Sequence, residues 1–179
     1  MKTIAHELHA CRQQHLLAAK DAWEFACRLY TRPGVEAACQ DLQNRRNLDP
    51  VWLLALCWQA VREAGSVKTA RIAQLDQALL GWREQVIIPL RCLQLRLENE
   101  AHASLPAHRL RRALLDTELY GKRLALQWLA QQLYPDTSPA SNAREDAMQS
   151  LLNYWHLRHT FPTSSDDQRS LHCVVHYLA

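Results

Sequence analysis

Histidine is the residue type here best suited to chemistry, and it gathers at the two ends of the chain. His6, His9 and His15 lie near the start and His156, His159, His172 and His176 near the finish, with Cys11 and Cys173 beside them. His156 and His159 are three residues apart, and His172 and His176 four apart. On helices each pair would share a face and could hold one metal ion if the ends converged. No zinc signature spaces its ligands this way, however, and histidines in polar terminal segments are commonly solvated, so neither a metal site nor a cofactor is assigned.

Other reaction centres leave less trace. A di-iron or di-manganese bundle needs inward-facing Glu-x-x-His pairs, and none occurs. Gly-x-Ser-x-Gly is absent, as are the glycine-rich loops that cradle phosphates, so hydrolase and nucleotide chemistry have no visible seat. Two weaker constellations remain as candidate binding residues. Arg83 and Arg91 flank Pro89 and could meet Glu118 in a groove, and Trp23 with Tyr30 could line a ligand site beside the Pro33-Gly34 break. For both, the packing reading is preferred, as it is for the tryptophans at 23, 52, 58 and 82.

The elements that would position these residues are helical. Trp23, Ala26, Cys27 and Tyr30 recur at helical steps up to Pro33 and Gly34, and Val35, Ala38, Cys39 and Leu42 form the next apolar stripe. Asp49 followed by Pro50 is a helix start, because the carboxylate can accept first-turn N–H groups that proline leaves in helical geometry. The run Val51 to Trp58 is apolar all round, which predicts a central buried helix, and Gly65 suits its stop. A long helix is expected over 69–100, with Ile72, Leu75, Leu79, Trp82, Val86, Leu90, Leu93 and Leu97 on one face and a kink at Pro89. Another follows Pro106, packing back antiparallel through Leu110, Leu114, Leu115, Leu119, Leu126 and Leu129. The reading is thus an all-α, single-domain bundle of about six helices. It comprises an N-terminal helical extension (1–19), a helical core (20–134), a linker (135–143), a last helix (144–159) and a mobile or loosely docked tail (160–179), whose end could form a strand or a short helix.

Composition agrees with one ordered globular core. The 179 residues are 48% hydrophobic and 22% charged, with four glycines against six tryptophans. The net charge of +3 is small and its densest basic run, Arg109, Arg111 and Arg112, is followed by Asp116 and Glu118, which disfavours a nucleic-acid partner. Six widely spaced cysteines without a Cys-x-x-Cys pair read as free thiols in a reducing compartment. No apolar run is long enough to cross a bilayer and the first ten residues do not resemble a signal peptide, so the expected location is cytoplasmic.

The pattern Trp23, Glu24, Phe25, Ala26, then Leu29, Tyr30, Pro33, Gly34, Val35, then Ala38, Cys39, Leu42 and Gln43 resembles the opening of a family of short proteobacterial helical proteins known as a domain of unknown function. Asp49 with Leu53, Leu54 and Trp58, and Trp82, Arg83, Glu84 leading to Pro89, Leu90 and Arg91, extend the resemblance over roughly residues 20 to 130. The His-rich start and Gln40 depart from it. The resemblance implies a bacterial cytosolic helical protein and transfers no functional residue. With enzyme motifs lacking, the expected function is a non-enzymatic module that binds another protein. The alternative is an enzyme or small-ligand binder whose polar groups converge only in the fold.

Overall fold

A computed structural model describes residues 20–62, 65–101, 104–133 and 142–178. The extension 1–19, with His6, His9, Cys11 and His15, and most of the 135–143 linker lie outside the described residues. Among the described residues all regular structure is helical: α1 (20–30), α2 (Val35–Arg46), α3 (Pro50–Val61), α4 (Thr69–Trp82), a π-helical turn (Arg83–Ile87), α5 (Ile88–Ala101), α6 (Leu105–Leu133), α7 (Ala143–Arg158) and α8 (Ser165–Val175). The fold is an all-α helical bundle. Where composition suggests one core, the contacts separate the chain into two compact units, Leu75–Ala125 and the residues on either side of it.

The flanking unit holds the apolar core. Asp49 caps α3 by accepting the N–H of Val51 at 2.9 Å, with Pro50 at the first helical position. Every residue of α3 from Val51 to Ala60 is buried, as its all-round apolar pattern requires. It packs against α2 and α7, where Trp52 stacks on Tyr154 with ring centroids 5.5 Å apart. Trp58 clusters with Ala22, Ala130 and the half-buried Phe25. Its indole N–H donates to Asp21 at 3.3 Å, which satisfies the one polar atom that this burial would strand. Ser150 of α7 takes the N–H of Val67 at 2.9 Å and Asn153 donates to the Val67 carbonyl at 2.8 Å, so the turn after α3 is pinned to the core through its backbone.

Turns fall where left-handed backbone is available. Gly34 precedes α2 at φ +80°, and a Cβ there would stand 3.0 Å from Cys173 Sγ. Asn47 closes α2 at φ 51°, its N–H returning to the helix carbonyls.

The C-terminal region differs from the sequence expectation. The polar stretch 163–167, expected to be mobile, is a capping box: the Ser164 side chain accepts the N–H of Asp167, and the Asp167 carboxylate accepts the N–H of Ser164. It starts α8, so α7 is not the last helix. α8 buries Leu171, Val174 and Val175, with Leu178 beyond it, packs on α2 and α7, and is held at its end by Arg144, which donates to the carbonyls of His176 and Leu178. Ser-x-x-Asp is a weaker start signal than Ser-x-x-Glu.

Pro89 is the second residue of α5, which begins at Ile88 where the π turn ends. The N–H of Ile88 bonds the Arg83 carbonyl, five residues back, so the wider turn absorbs the register that proline, lacking a donor, disturbs.

Candidate functional site

The unit Leu75–Ala125 comprises the end of α4, the π turn, α5 and the first two thirds of α6, two helical arms joined through residues 102–103. The unit's buried polar residues are Asp76, Gln94 and Glu118 and its buried apolar ones Leu75 and Ala125, while Leu79, Leu80, Val86, Ile87, Leu90, Leu97 and Leu114 are half-buried. Arg83 donates to Asp76 Oδ1 at 2.7 Å. Gln94 of α5 donates to Glu118 Oε2 at 2.5 Å and to the Leu114 carbonyl of α6 at 3.2 Å. Lys122 closes the group, its Nζ 2.5 Å from Glu118 Oε1. Trp82 Nε1 donates to the Gly121 carbonyl at 3.2 Å, a close approach kept open because glycine has no Cβ: one would stand 2.8 Å from Ile87 Cδ1.

The outer surfaces carry the leucines. Trp82, Ile88, Leu93, Leu95, Leu105, Leu110, Leu115, Leu119, Tyr120 and Leu124 are each more than a third exposed. Scattered single leucines on a surface are ordinary, but ten large apolar side chains exposed on one small hairpin that also buries Asp76, Gln94 and Glu118 are not. Leu93, Leu110, Leu115 and Leu119, expected from their spacing to pack, are among the exposed ones, and Trp82 is at the borderline rather than in the core. The sequence carried a sign of this: Leu110 and Leu115 are five residues apart, so they cannot lie on one face of a helix.

The candidate binding residues fall in separate places. Arg83 and Glu118 belong to the hairpin interior, where Asp76, Gln94 and Lys122 meet their charges, and Arg91 is half-buried on α5. Trp23 and Tyr30 are half-buried on α1 in the other unit; burial raises the Tyr30 pKa.

A concavity lies between α2 and α8, an open groove of about 440 Å³ lined by Ala37, Ala38, Asp41, Arg45, Asp166, Arg169, Ser170 and Cys173. Its charges are matched from within. Arg45 forks onto Asp41, Arg169 bonds Asp166, and Ser170 donates to Asp41 at 2.8 Å. Beneath them the fully buried Asp167 receives Arg45 and Arg46, each at 2.9 Å. Burial alone would raise the Asp167 pKa, but the hydrogen bonds from Arg46, Ser164 and Arg45 outweigh it and hold the carboxyl well below the usual carboxylate range. Cys39 and Cys57 are buried and their thiols pushed up by desolvation, Cys39 to about 12.

Among the described residues no group of three or more His, Cys, Asp or Glu side chains is placed to hold a metal ion. His156 and His172 are exposed, while His159 packs between Trp155 and Phe161, with burial lowering its pKa. No described helix is long and apolar enough to cross a membrane.

These features define a helical protein with an apolar-surfaced hairpin. The chain belongs to the family of proteins of unknown function DUF2390, whose pattern matches residues 21–129. That span takes in α1 to α5 and nearly all of α6, including the whole hairpin. No curated protein and no solved structure matches the chain.

Proposed function

We propose that the protein is a non-enzymatic protein-interaction or regulatory module of a bacterial cytoplasm, and that the hairpin Leu75–Ala125 is the element with which it binds. The observation that carries this reading is the apolar exterior of a hairpin that buries polar groups. Asp76, Gln94 and Glu118 are inside while Leu95, Leu105, Leu110 and Leu119 are each more than half exposed. Leaving such a surface in water forgoes about 25 cal/mol for every Å² of apolar area, which docking against another helical surface would recover. The flanking unit has its own core and its own satisfied charges, so it serves as the anchor. The rival reading, a small-ligand binder, would use the groove between α2 and α8. Its arginines and aspartates neutralise one another, which leaves little polar demand for a ligand to meet.

The test is site-specific photo-crosslinking in native cells. A photoreactive residue at Leu95 or Leu119 should yield discrete protein adducts, and one at the exposed Arg169 of the flanking unit should not. Equal labelling at the two sets of positions overturns the reading.

A further inference from the structure

We infer that the partner of one hairpin face is a second copy of this chain, paired antiparallel along α6; the inference rests on the reading of the hairpin as a docking element. Leu110, Ala113, Thr117, Tyr120 and Leu124 follow one another at steps of three, four, three and four. That is the a/d spacing of a coiled-coil seam, and it places all five on one stripe of α6. All five are exposed. Thr117 directs its hydroxyl back to the Ala113 carbonyl at 2.7 Å, so the polar atom in the middle of the stripe is already satisfied and presents its methyl group without a desolvation cost.

The part of the stripe from Ala113 to Leu124 is complementary to itself. In an antiparallel pair, layers are formed by an a residue of one helix and a d residue of the other. The register that sets Tyr120 against Thr117 of the second copy also sets Leu124 against its Ala113. By the two-fold axis each contact occurs twice, and each matches a large side chain with a small one, as interdigitating layers require. The same register brings Asp116, on the rim of the seam, to Arg123 of the second copy, again twice. Asp116 is held in the monomer only loosely by Arg112, at 3.6 Å with both side chains about two-thirds exposed or more, so it can reorient at little cost. The pairing therefore joins opposite charges at its rim and covers apolar surface at its centre.

Sedimentation velocity on the full chain over a concentration series tests this. The wild type should show a concentration-dependent monomer–dimer equilibrium. Tyr120→Glu should weaken it by about tenfold or more while helical circular dichroism is retained, because the residue is exposed in the monomer. Asp116→Arg, which sets two arginines together twice, should weaken it as well, and the charge-swapped Asp116→Arg/Arg123→Asp should restore it. A wild type that stays monomeric at every concentration overturns the inference, whether residues 1–19 or another protein then cover the seam. So does a dimer indifferent to Tyr120→Glu and to the charge swap. A monomer whose Leu119 crosslinks to a different protein overturns self-pairing while leaving the docking reading intact.

Discussion

Gln94 Nε2 lies 2.5 Å from Glu118 Oε2, so α5 and α6 meet through an amide and a carboxylate twenty-four residues apart in sequence. Lys122 reaches the second carboxylate oxygen and Arg83 is bonded to Asp76 nearer the end of α4. The bonds that cross between the arms, from Gln94 to Glu118 and to the Leu114 carbonyl and from Trp82 to the Gly121 carbonyl, fix their register. Around them Leu93, Leu95, Leu105, Leu110, Leu115, Leu119 and Leu124 stay exposed.

Glu118→Ala removes one of the two acceptors of the buried Gln94 amide and leaves the half-buried Lys122 without its counter-charge, so it should cost about 1 to 3 kcal/mol. Gln94→Leu combined with Glu118→Leu removes both partners and should recover most of that loss. A double-mutant cycle measured by urea denaturation checks both numbers. A single substitution with no effect would show that the network does not hold the arms together.

Asp167 links acidity to stability. Its folded carboxyl sits below the unfolded value of about 3.9, so the stabilisation is fully present above that pH and is lost as pH falls towards the folded value; it is on the order of 2 kcal/mol. The urea midpoint should therefore drop between pH 5 and pH 2. In Asp167→Asn, which cannot titrate, the slope should be shallower and stability at pH 7 lower, because Arg45 and Arg46 lose a buried counter-charge. An unchanged slope would assign acid unfolding to other carboxylates.

The central position of α3 predicts that Leu53→Asp, at a fully buried site, prevents folding, since an unpaired carboxylate in that core has no donor to meet it. Retention of the wild-type melting temperature would contradict the assignment. This helix was legible in the sequence because its information is local: Asp49, Pro50 and eight apolar residues follow one another. Near Pro89 the sequence points to a disturbed helix, and the structure shows a π turn at Arg83–Ile87. The hairpin interior was not legible. Gln94 and Glu118 find each other across twenty-four residues, and a glutamine or glutamate on a helix otherwise reads as solvated. Counting leucines on a wheel assigned Leu110, Leu115 and Leu119 to packing, because periodicity reports that a face is apolar and not what covers it. Arg83 and Glu118 were singled out from sequence, but their partners Asp76, Gln94 and Lys122 were not.

Thiol reactivity should divide with burial. Cys27 and Cys92 are exposed and should alkylate rapidly in the native protein at pH 8. Cys39 and Cys57, buried and with raised pKa values, should react only on unfolding. Mass spectrometry of iodoacetamide-treated native protein distinguishes them, and rapid labelling of Cys39 would show that the α2–α8 contact opens readily.

The apparent mass of the chain in gently lysed native cells, read by gel filtration of wild type and of Leu110→Glu/Leu119→Glu, tests the hairpin's role most directly. Both leucines are more than half exposed, so the double substitution should change folding stability by no more than about 0.5 kcal/mol per site. The wild type is predicted to elute in an assembly larger than the monomer and the variant as a folded monomer. A wild type that elutes as a monomer, or a variant that elutes with the wild type, would contradict the assignment of the hairpin as the binding element.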